Sequence, residues 1–321
     1  KDRTFSPKNK EEILNYLNII DKNEIIISFS RVNNKTYFIY KKLKKNGNKI
    51  GFVQLGTTPD VYFFLKKNLL RLFLRKIKNR IIQKSQSIFS NFYVVGSKAD
   101  ILKSENHVLF NKKSHFINYN SFDYDLYLSN EKLNNKKTST AKYVVFLDED
   151  NLNHPDNNIS GFIPVGKNYY LELNRFFSKI ENKFSLKVVV AAHPRSDYTK
   201  NGNPYKGRKI IKFKTIELVK HSEFVLAHAS TSITMAVLYS KPIISLTSTN
   251  YKPSYIKSIK NFSSTLSNII IDVSDENYNL PNYIELNQNS YKSYFSDFVN
   301  FKNFNNVSLI DLIENYFISK S

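Results

Sequence analysis

Cysteine is absent from all 321 residues, which excludes a disulfide framework, a thiolate zinc site and a cysteine nucleophile. No stretch approaches the roughly 18 uncharged apolar residues that a bilayer-spanning helix needs. No apolar run follows a basic one near Lys1, as a secretory leader would require. These lacks together predict a cytosolic protein. Several short signatures are also missing. Without G-x-x-x-x-G-K-[ST] or G-x-G-x-x-G the chain is neither a P-loop NTPase nor an ordinary dinucleotide binder. Without H-E-x-x-H or G-x-S-x-G it offers no zincin and no nucleophile-elbow chemistry.

Acidic residues are scarce. Asp and Glu number 27 against 48 Lys and Arg, a formal charge of +21. Such a field attracts polyanions: nucleic acid, anionic lipid or phosphorylated small molecules. Part of the excess is compositional, since Lys, Asn and Ile rise together, as in AT-rich genomes, and scatter over the surface. The rest clusters at 61–84, where Lys66, Lys67, Arg71, Arg75, Lys76, Lys78, Arg80 and Lys84 occur without one acid. Leu65, Leu69, Phe73, Ile77 and Ile81 run through the same segment at i, i+4 spacing. That pattern predicts an amphipathic helix lying on an anionic membrane surface, with Arg71, Arg75 and Lys78 as contacts. The plainer reading is a core-facing helix with a solvated basic side. No reading module and no stacking platform accompany the charge, so a nucleic-acid-binding protein is the weakest alternative.

Hydrophobic residues make up 41% of the chain and aromatics 14%, enough for a sizeable core. The length suits two domains of roughly 150 residues. Short β-branched runs at 25–30, 49–54 and 92–95, with a helix over 36–46 ending at Asn46-Gly47, read as a parallel βαβ arrangement. Weaker strand signals lie at 107–110 and 115–118. After a polar stretch at 130–140, read as a linker, strands are predicted at 143–147, 186–192, 209–213, 224–227 and 243–246. Helices are predicted between them at 167–182, at 216–221 with Thr215 as its cap, and at 232–239. The reading is α/β with two Rossmann-like domains, 1–135 and 136–282. Residues 283–321 read as helices that pack back on the first domain.

In open α/β sheets, ligands bind beyond the carboxyl ends of the strands. Three such ends carry polar clusters. Asp148-Glu149-Asp150 follows strand 143–147 and offers a general base, a metal site or a solvated turn. His193-Pro194-Arg195 follows strand 186–192. Proline biases His193 to an extended conformation, and an imidazole there can donate to a phosphate oxygen. His228-Ala229-Ser230-Thr231-Ser232 follows strand 224–227 and opens a helix, a place suited to phosphate. Ordinary N-capping by Ser230 or Ser232, and a satisfied polar role for His193, are the simpler readings. His154 and Asp156, in the loop after the acidic trio, are candidates for the acceptor side. The D-x-D patterns at Asp148/Asp150 and Asp123/Asp125 are too short to carry weight alone.

The run Val188-Val189-Val190-Ala191-Ala192-His193-Pro194-Arg195, then Thr215-Ile216-Glu217-Leu218-Val219, then His228 to Ser232 with Ala236 and Lys241-Pro242-Ile243-Ile244, resembles GT-B glycosyltransferases. Within that fold it is similar to bacterial sialyltransferases, polysialyltransferases and related CMP-sugar enzymes. The resemblance covers about 143–246. It implies two Rossmann-like domains with parallel sheets facing a central cleft. It implies an acidic base at Asp148, Glu149 or Asp150. His193-Pro194, and Ser230, Thr231 and Ser232, would hold the CMP part of the donor, with Arg195 and His228 beside them. Asp150 or Asn151 stands where the family's acidic motif has glycine, which leaves the base unassigned among the three.

The expected activity is transfer of an acidic sugar of sialic, nonulosonic or Kdo type from a CMP-activated donor. The acceptor would be a bacterial surface glycan or glycolipid, of lipopolysaccharide or capsule type. No cofactor and no metal are expected, because a CMP-sugar releases a single phosphate. The expected place is cytoplasmic, peripheral at the inner face of the membrane. The alternative keeps the fold and changes the donor to a UDP- or GDP-sugar, or a pyruvyl or glycerophosphate group.

Overall fold

The computed structural model describes residues 5–30, 32–68, 72–74, 77, 88–133, 142–155, 157, 161, 163–300 and 309–318. The chain forms two compact units. One comprises Lys1–Thr57, Val61–Ser121 and Asn300–Ser321, the other Thr58–Asp60 and Phe122–Val299. Residues 134–141, most of the expected linker, lie outside the described residues, as do Arg71, Arg75, Lys78 and Asp156.

The first unit alternates α1 (Lys10–Ile19), β1 (Ile25–Ser28), α2 (Tyr37–Asn46), β2 (Lys49–Gln54), α3 (Pro59–Lys67), β3 (Phe92–Val95), α4 (Lys98–Glu105) and β4 (His115–Asn118). The four strands pair in sequence order, all parallel. Helix α2 ends because Gly47 takes φ 95°, a left-handed conformation that costs glycine little, and its N–H caps Leu43 and Lys44. Gly51 serves packing instead: a Cβ there would stand 2.0 Å from the Phe92 ring on the neighbouring strand. The strand expected at 107–110 is a turn. Its backbone closes locally, His107 N–H to Ser104 and Phe110 N–H to His107, and the Leu109 carbonyl accepts from the Ser90 N–H (2.8 Å) without a strand ladder forming.

The second unit contains α5 (Phe122–Leu133), β5 (Tyr143–Leu147), α6 (Tyr169–Phe184), β6 (Lys187–Ala192), α7 (Tyr198–Asn201), β7 (Ile210–Lys212) and α8 (Thr215–His221). It continues with β8 (Val225–Ala227), α9 (Ile233–Leu238), β9 (Ile243–Thr247), α10 (Pro253–Leu266), β10 (Ile269–Asp272) and α11 (Gln288–Tyr294), which runs into a π turn at Phe295–Val299. The six strands are parallel in the order β10-β9-β8-β5-β6-β7. Helix α6 presents Tyr169, Leu173, Phe176, Phe177 and Ile180 to the core, all fully buried, at the 3–4 residue spacing of one helical face. They meet Val144, Phe146, Val188 and Val190 of the central strands. Thr215 is the first residue of α8 and not its cap. Lys214 holds the cap position with no side-chain capping bond.

Helix α12 (Leu309–Ile318) packs on the first unit's sheet, with Ile313 buried and the Phe317 ring edge-on to Phe92 at 5.3 Å. Both units are the parallel α/β kind that the sequence predicts. Among the described residues no helix is long and apolar enough to cross a membrane.

Candidate functional site

Strand order decides where a ligand can enter. From β5 the chain steps outward through β6 to β7, then returns across β5 to β8 and continues outward to β10. Between β5 and β8, connections leave in opposite directions, which opens a crevice at the carboxyl ends of the strands. The loops leaving β5, β8 and neighbouring β6 are the three polar clusters of the sequence. They converge on one cavity of about 500 Å³. Its wall is Glu149, Asn151, His154 and Asn157 from the first loop, His193 and Pro194 from the second, and Ala229 to Ser232 from the third.

The three carboxylates have different fates. Asp148 is buried and accepts four hydrogen bonds. Oδ2 accepts from the Tyr198 hydroxyl (2.6 Å) and the His193 N–H (3.4 Å). Oδ1 accepts from the Tyr205 hydroxyl (2.8 Å) and the Asp150 N–H (2.9 Å). This carboxylate ties the ends of β5 and β6 to the start of α7 and to the segment after it, and it forms no part of the cavity wall. Asp150 takes φ 50° and is buried away from the cavity, with Oδ1 unpaired. Burial and the neighbouring Asp148 push its carboxyl up to about 6. Glu149 alone of the three lines the cavity. Its Oε1 accepts from the Ala229 N–H (3.0 Å) and its Oε2 from the Tyr255 hydroxyl (3.1 Å). Burial outweighs both bonds and pushes the carboxyl up to about 7, the range suited to a general base near neutrality.

Opposite Glu149, the His193 and His154 rings meet edge to face with centroids 4.7 Å apart. The Arg195 N–H donates to His193 Nδ1 (3.2 Å), which puts the neutral ring's proton on Nε2. The Ser196 hydroxyl donates to the His193 carbonyl (2.7 Å) and holds the turn. Arg195 itself is exposed and is not part of the cavity wall. Ser230, Thr231 and Ser232 line the cavity just before α9. Ser230 Oγ accepts from the Ser232 N–H (3.3 Å), so part of its capacity goes to the turn that leads into α9.

His228 is placed elsewhere. It is fully buried and absent from the wall, packed edge-on against Phe146 and Tyr251. Burial pushes its imidazole down to about 4, so the ring is neutral. Several residues that matter carry no motif in the sequence. Tyr198 and Tyr205 hold Asp148, while Tyr255 holds Glu149 and in turn accepts from Asn151. Only the abundance of tyrosine, 21 residues, hinted at them.

No family model matches the chain, and no curated protein matches it. Solved structures do. The chain is similar to S. aureus MnaA in its UDP co-structure, with 16% identity, a TM-score of 0.42, and 74% of this chain and 62% of that chain covered. It thus spans less than two thirds of that protein. It is similar to the UDP-GlcNAc 2-epimerase of Methanocaldococcus jannaschii, at 14% identity and TM-score 0.45, over 99% of this chain and 84% of that one. The E. coli heptosyltransferase WaaC with ADP follows at 11% identity and TM-score 0.31, over 77% and 92%. Likenesses of this size assign no activity to the chain.

Proposed function

We propose that the protein is a glycosyltransferase that uses a nucleotide-activated sugar, with Glu149 as general base. The observation that supports this most is one cavity holding a carboxyl poised near 7 together with two imidazoles and three hydroxyls. Glu149 removes the proton of the acceptor hydroxyl as that oxygen attacks the anomeric carbon. The bond from that carbon to the donor phosphate breaks, and its electrons leave with the phosphate. His193 Nε2–H and the hydroxyls of Ser230, Thr231 and Ser232 donate to the charge that develops there. His154 stands beside His193 and is assigned to the acceptor side.

The donor proposed is a CMP-linked acidic sugar of sialic, nonulosonic or Kdo type, and the acceptor a surface glycan or glycolipid. A single departing phosphate can be stabilised by the hydrogen bonds of these donors without a divalent cation. Calorimetric titration with CMP, CTP, UDP and GDP tests the donor, and His193→Ala is expected to weaken CMP binding at least tenfold. Tighter binding of UDP or GDP, or turnover that vanishes in EDTA and returns with manganese or magnesium, refutes the CMP-sugar assignment. Glu149→Gln is expected to bind CMP as the parent does and to lose turnover.

A second proposal concerns location. Phe64, Phe73, Leu74 and Ile77 are 46, 60, 59 and 41% exposed, in a segment with no acid. The single face expected from Leu65, Phe73 and Ile77 is not what packs: Leu65 and Leu72 turn inward, and Phe73 and Ile77 outward. Exposed apolar residues set among Lys66, Lys67 and the sequence's further basic residues suit an anionic lipid surface. Sedimentation with anionic vesicles that falls with salt supports this contact. Sedimentation indifferent to lipid charge, or unchanged by Arg71→Gln, Arg75→Gln and Lys78→Gln together, refutes it.

A further inference from the structure

Behind Glu149 lies a chain of polar groups that cavity chemistry does not use. His228 Nδ1 is 2.8 Å from the Leu246 carbonyl, and its Nε2 is 3.3 Å from the Tyr169 hydroxyl. Asn151 Nδ2 lies 3.5 Å from the Tyr169 hydroxyl and 2.8 Å from that of Tyr255. The Tyr255 hydroxyl is 3.1 Å from Glu149 Oε2. His228, Asn151 and Tyr169 are buried, and their elements lie far apart in the sequence.

The direction of every bond follows from one end. A backbone carbonyl only accepts, so His228 Nδ1 carries the hydrogen. The ring is neutral, so Nε2 is a lone pair and the Tyr169 hydroxyl donates to it. Having spent its hydrogen, that oxygen accepts from Asn151, which fixes the amide with its nitrogen toward both tyrosines. Asn151 then donates to the Tyr255 oxygen as well, and Tyr255 is left to donate to Glu149. With the amide reversed, Asn151 would accept, and Tyr255 would turn its hydrogen away from the carboxylate.

We infer that His228 is a positioning residue whose neutral tautomer, set by the Leu246 carbonyl, directs the Tyr255 hydrogen onto Glu149 through Tyr169 and Asn151. The relay rests on the reading of Glu149 as base only for its use in catalysis; the bonding pattern stands apart from it. Its effect is to hold the carboxylate in one orientation and to temper the desolvation imposed by the site. The groups facing Glu149 are Asp148 beside it, Tyr255 from α10 and Tyr251 from the turn before that helix, the Ala229 N–H, and His154 and His193 of the cavity wall.

The test follows the protonated Glu149 carboxyl by difference infrared spectroscopy from pH 5 to 9, with Glu149→Gln assigning the band. Tyr255→Phe, which removes the donor and keeps the ring, is expected to raise the titration point by about one pH unit. Tyr169→Phe touches no atom of Glu149, yet it frees Asn151 to reverse and is expected to raise the point in the same direction by a smaller amount. Tyr251→Phe packs on the same imidazole, and its hydroxyl makes no hydrogen bond among the described residues. It is expected to leave the point in place. A point unmoved in either Tyr255→Phe or Tyr169→Phe, or moved equally in Tyr251→Phe, overturns the relay. Nitrogen NMR of the parent at pH 7 needs no variant: His228 protonated at Nε2 overturns the relay, and Nδ1–H supports it. Neither readout uses nucleotide or turnover, so failure of the relay and failure of the proposed activity are told apart.

Discussion

Glu149→Gln converts the electrostatics of the cavity into a measurable slope of stability against pH. Burial pushes the Glu149 carboxyl from an ordinary 4.5 up to about 7, so the folded state keeps its proton where the unfolded state loses it. Unfolding between these values releases a proton, and stability falls as pH rises from about 4.5 to about 7, then levels. At 1.36 kcal/mol per pH unit the loss reaches about 3 kcal/mol. Glutamine is neutral throughout and lacks this loss. The stability of the variant minus that of the parent is therefore expected to climb by up to about 3 kcal/mol across the window. His228, pushed down to about 4, contributes the opposite slope, losing stability as pH falls below 6.5. It does so in both proteins and cancels in the difference, as does Asp150. Re-pairing of the amide with the Ala229 N–H and the Tyr255 hydroxyl adds an offset that does not vary with pH. The assay is urea denaturation at pH 4.5 to 8.5 followed by far-UV circular dichroism, since the chain has no tryptophan to report. A difference curve flat within 0.5 kcal/mol, a margin near the error of such extrapolations, would refute the desolvated carboxyl.

Other perturbations test the frame around the site. Asp148→Asn presents an amide to four donors and is expected to cost about 3 kcal/mol or more in urea denaturation at pH 7, because one amide oxygen and an NH2 group cannot accept what two carboxylate oxygens accept from buried phenol and N–H groups. Arg208 bonds Glu181, Asn174 and Ser178 on α6 and the Tyr205 carbonyl, with 9% of its side chain exposed. Arg208→Ala leaves Glu181 without its cation and is expected to cost about 3–5 kcal/mol, read as a lowered urea midpoint. Ser185 ends α6 at φ 53° and ψ 37°. There glycine relieves left-handed strain, and Ser185→Gly is expected to raise stability by about 0.5–1 kcal/mol.

Much of the site was visible before the fold, because strand ends in α/β chains are marked locally. Runs such as Tyr143–Leu147 and Lys187–Ala192 are apolar, β-branched and short, and the polar residues that follow them fall at the sheet's rim. His193, Ser230, Thr231 and Ser232 reach the cavity on that logic alone. The same logic misplaces His228, which stands one residue nearer the strand than the residues it was grouped with. At that step the chain still points into the core, between Phe146 and Tyr251. Arg195 fails in the other direction, carried past the rim into solvent.

The sequence by itself determined the alternation of strands and helices, the positive charge and the three polar clusters, since each is written in a period or composition that local contacts read. Tertiary structure decided the order of the six strands, and with it the reversal between β5 and β8 that brings clusters 80 residues apart into hydrogen-bond contact. It also decided among three adjacent carboxylates. Tyr198 and Tyr205, 50 and 57 residues away, claim Asp148. A left-handed backbone buries Asp150. Glu149 is left facing the cavity with Tyr255, 106 residues on, holding it. No local pattern specifies such pairings, because each partner lies on a different element and meets the carboxylate only when the sheet has closed.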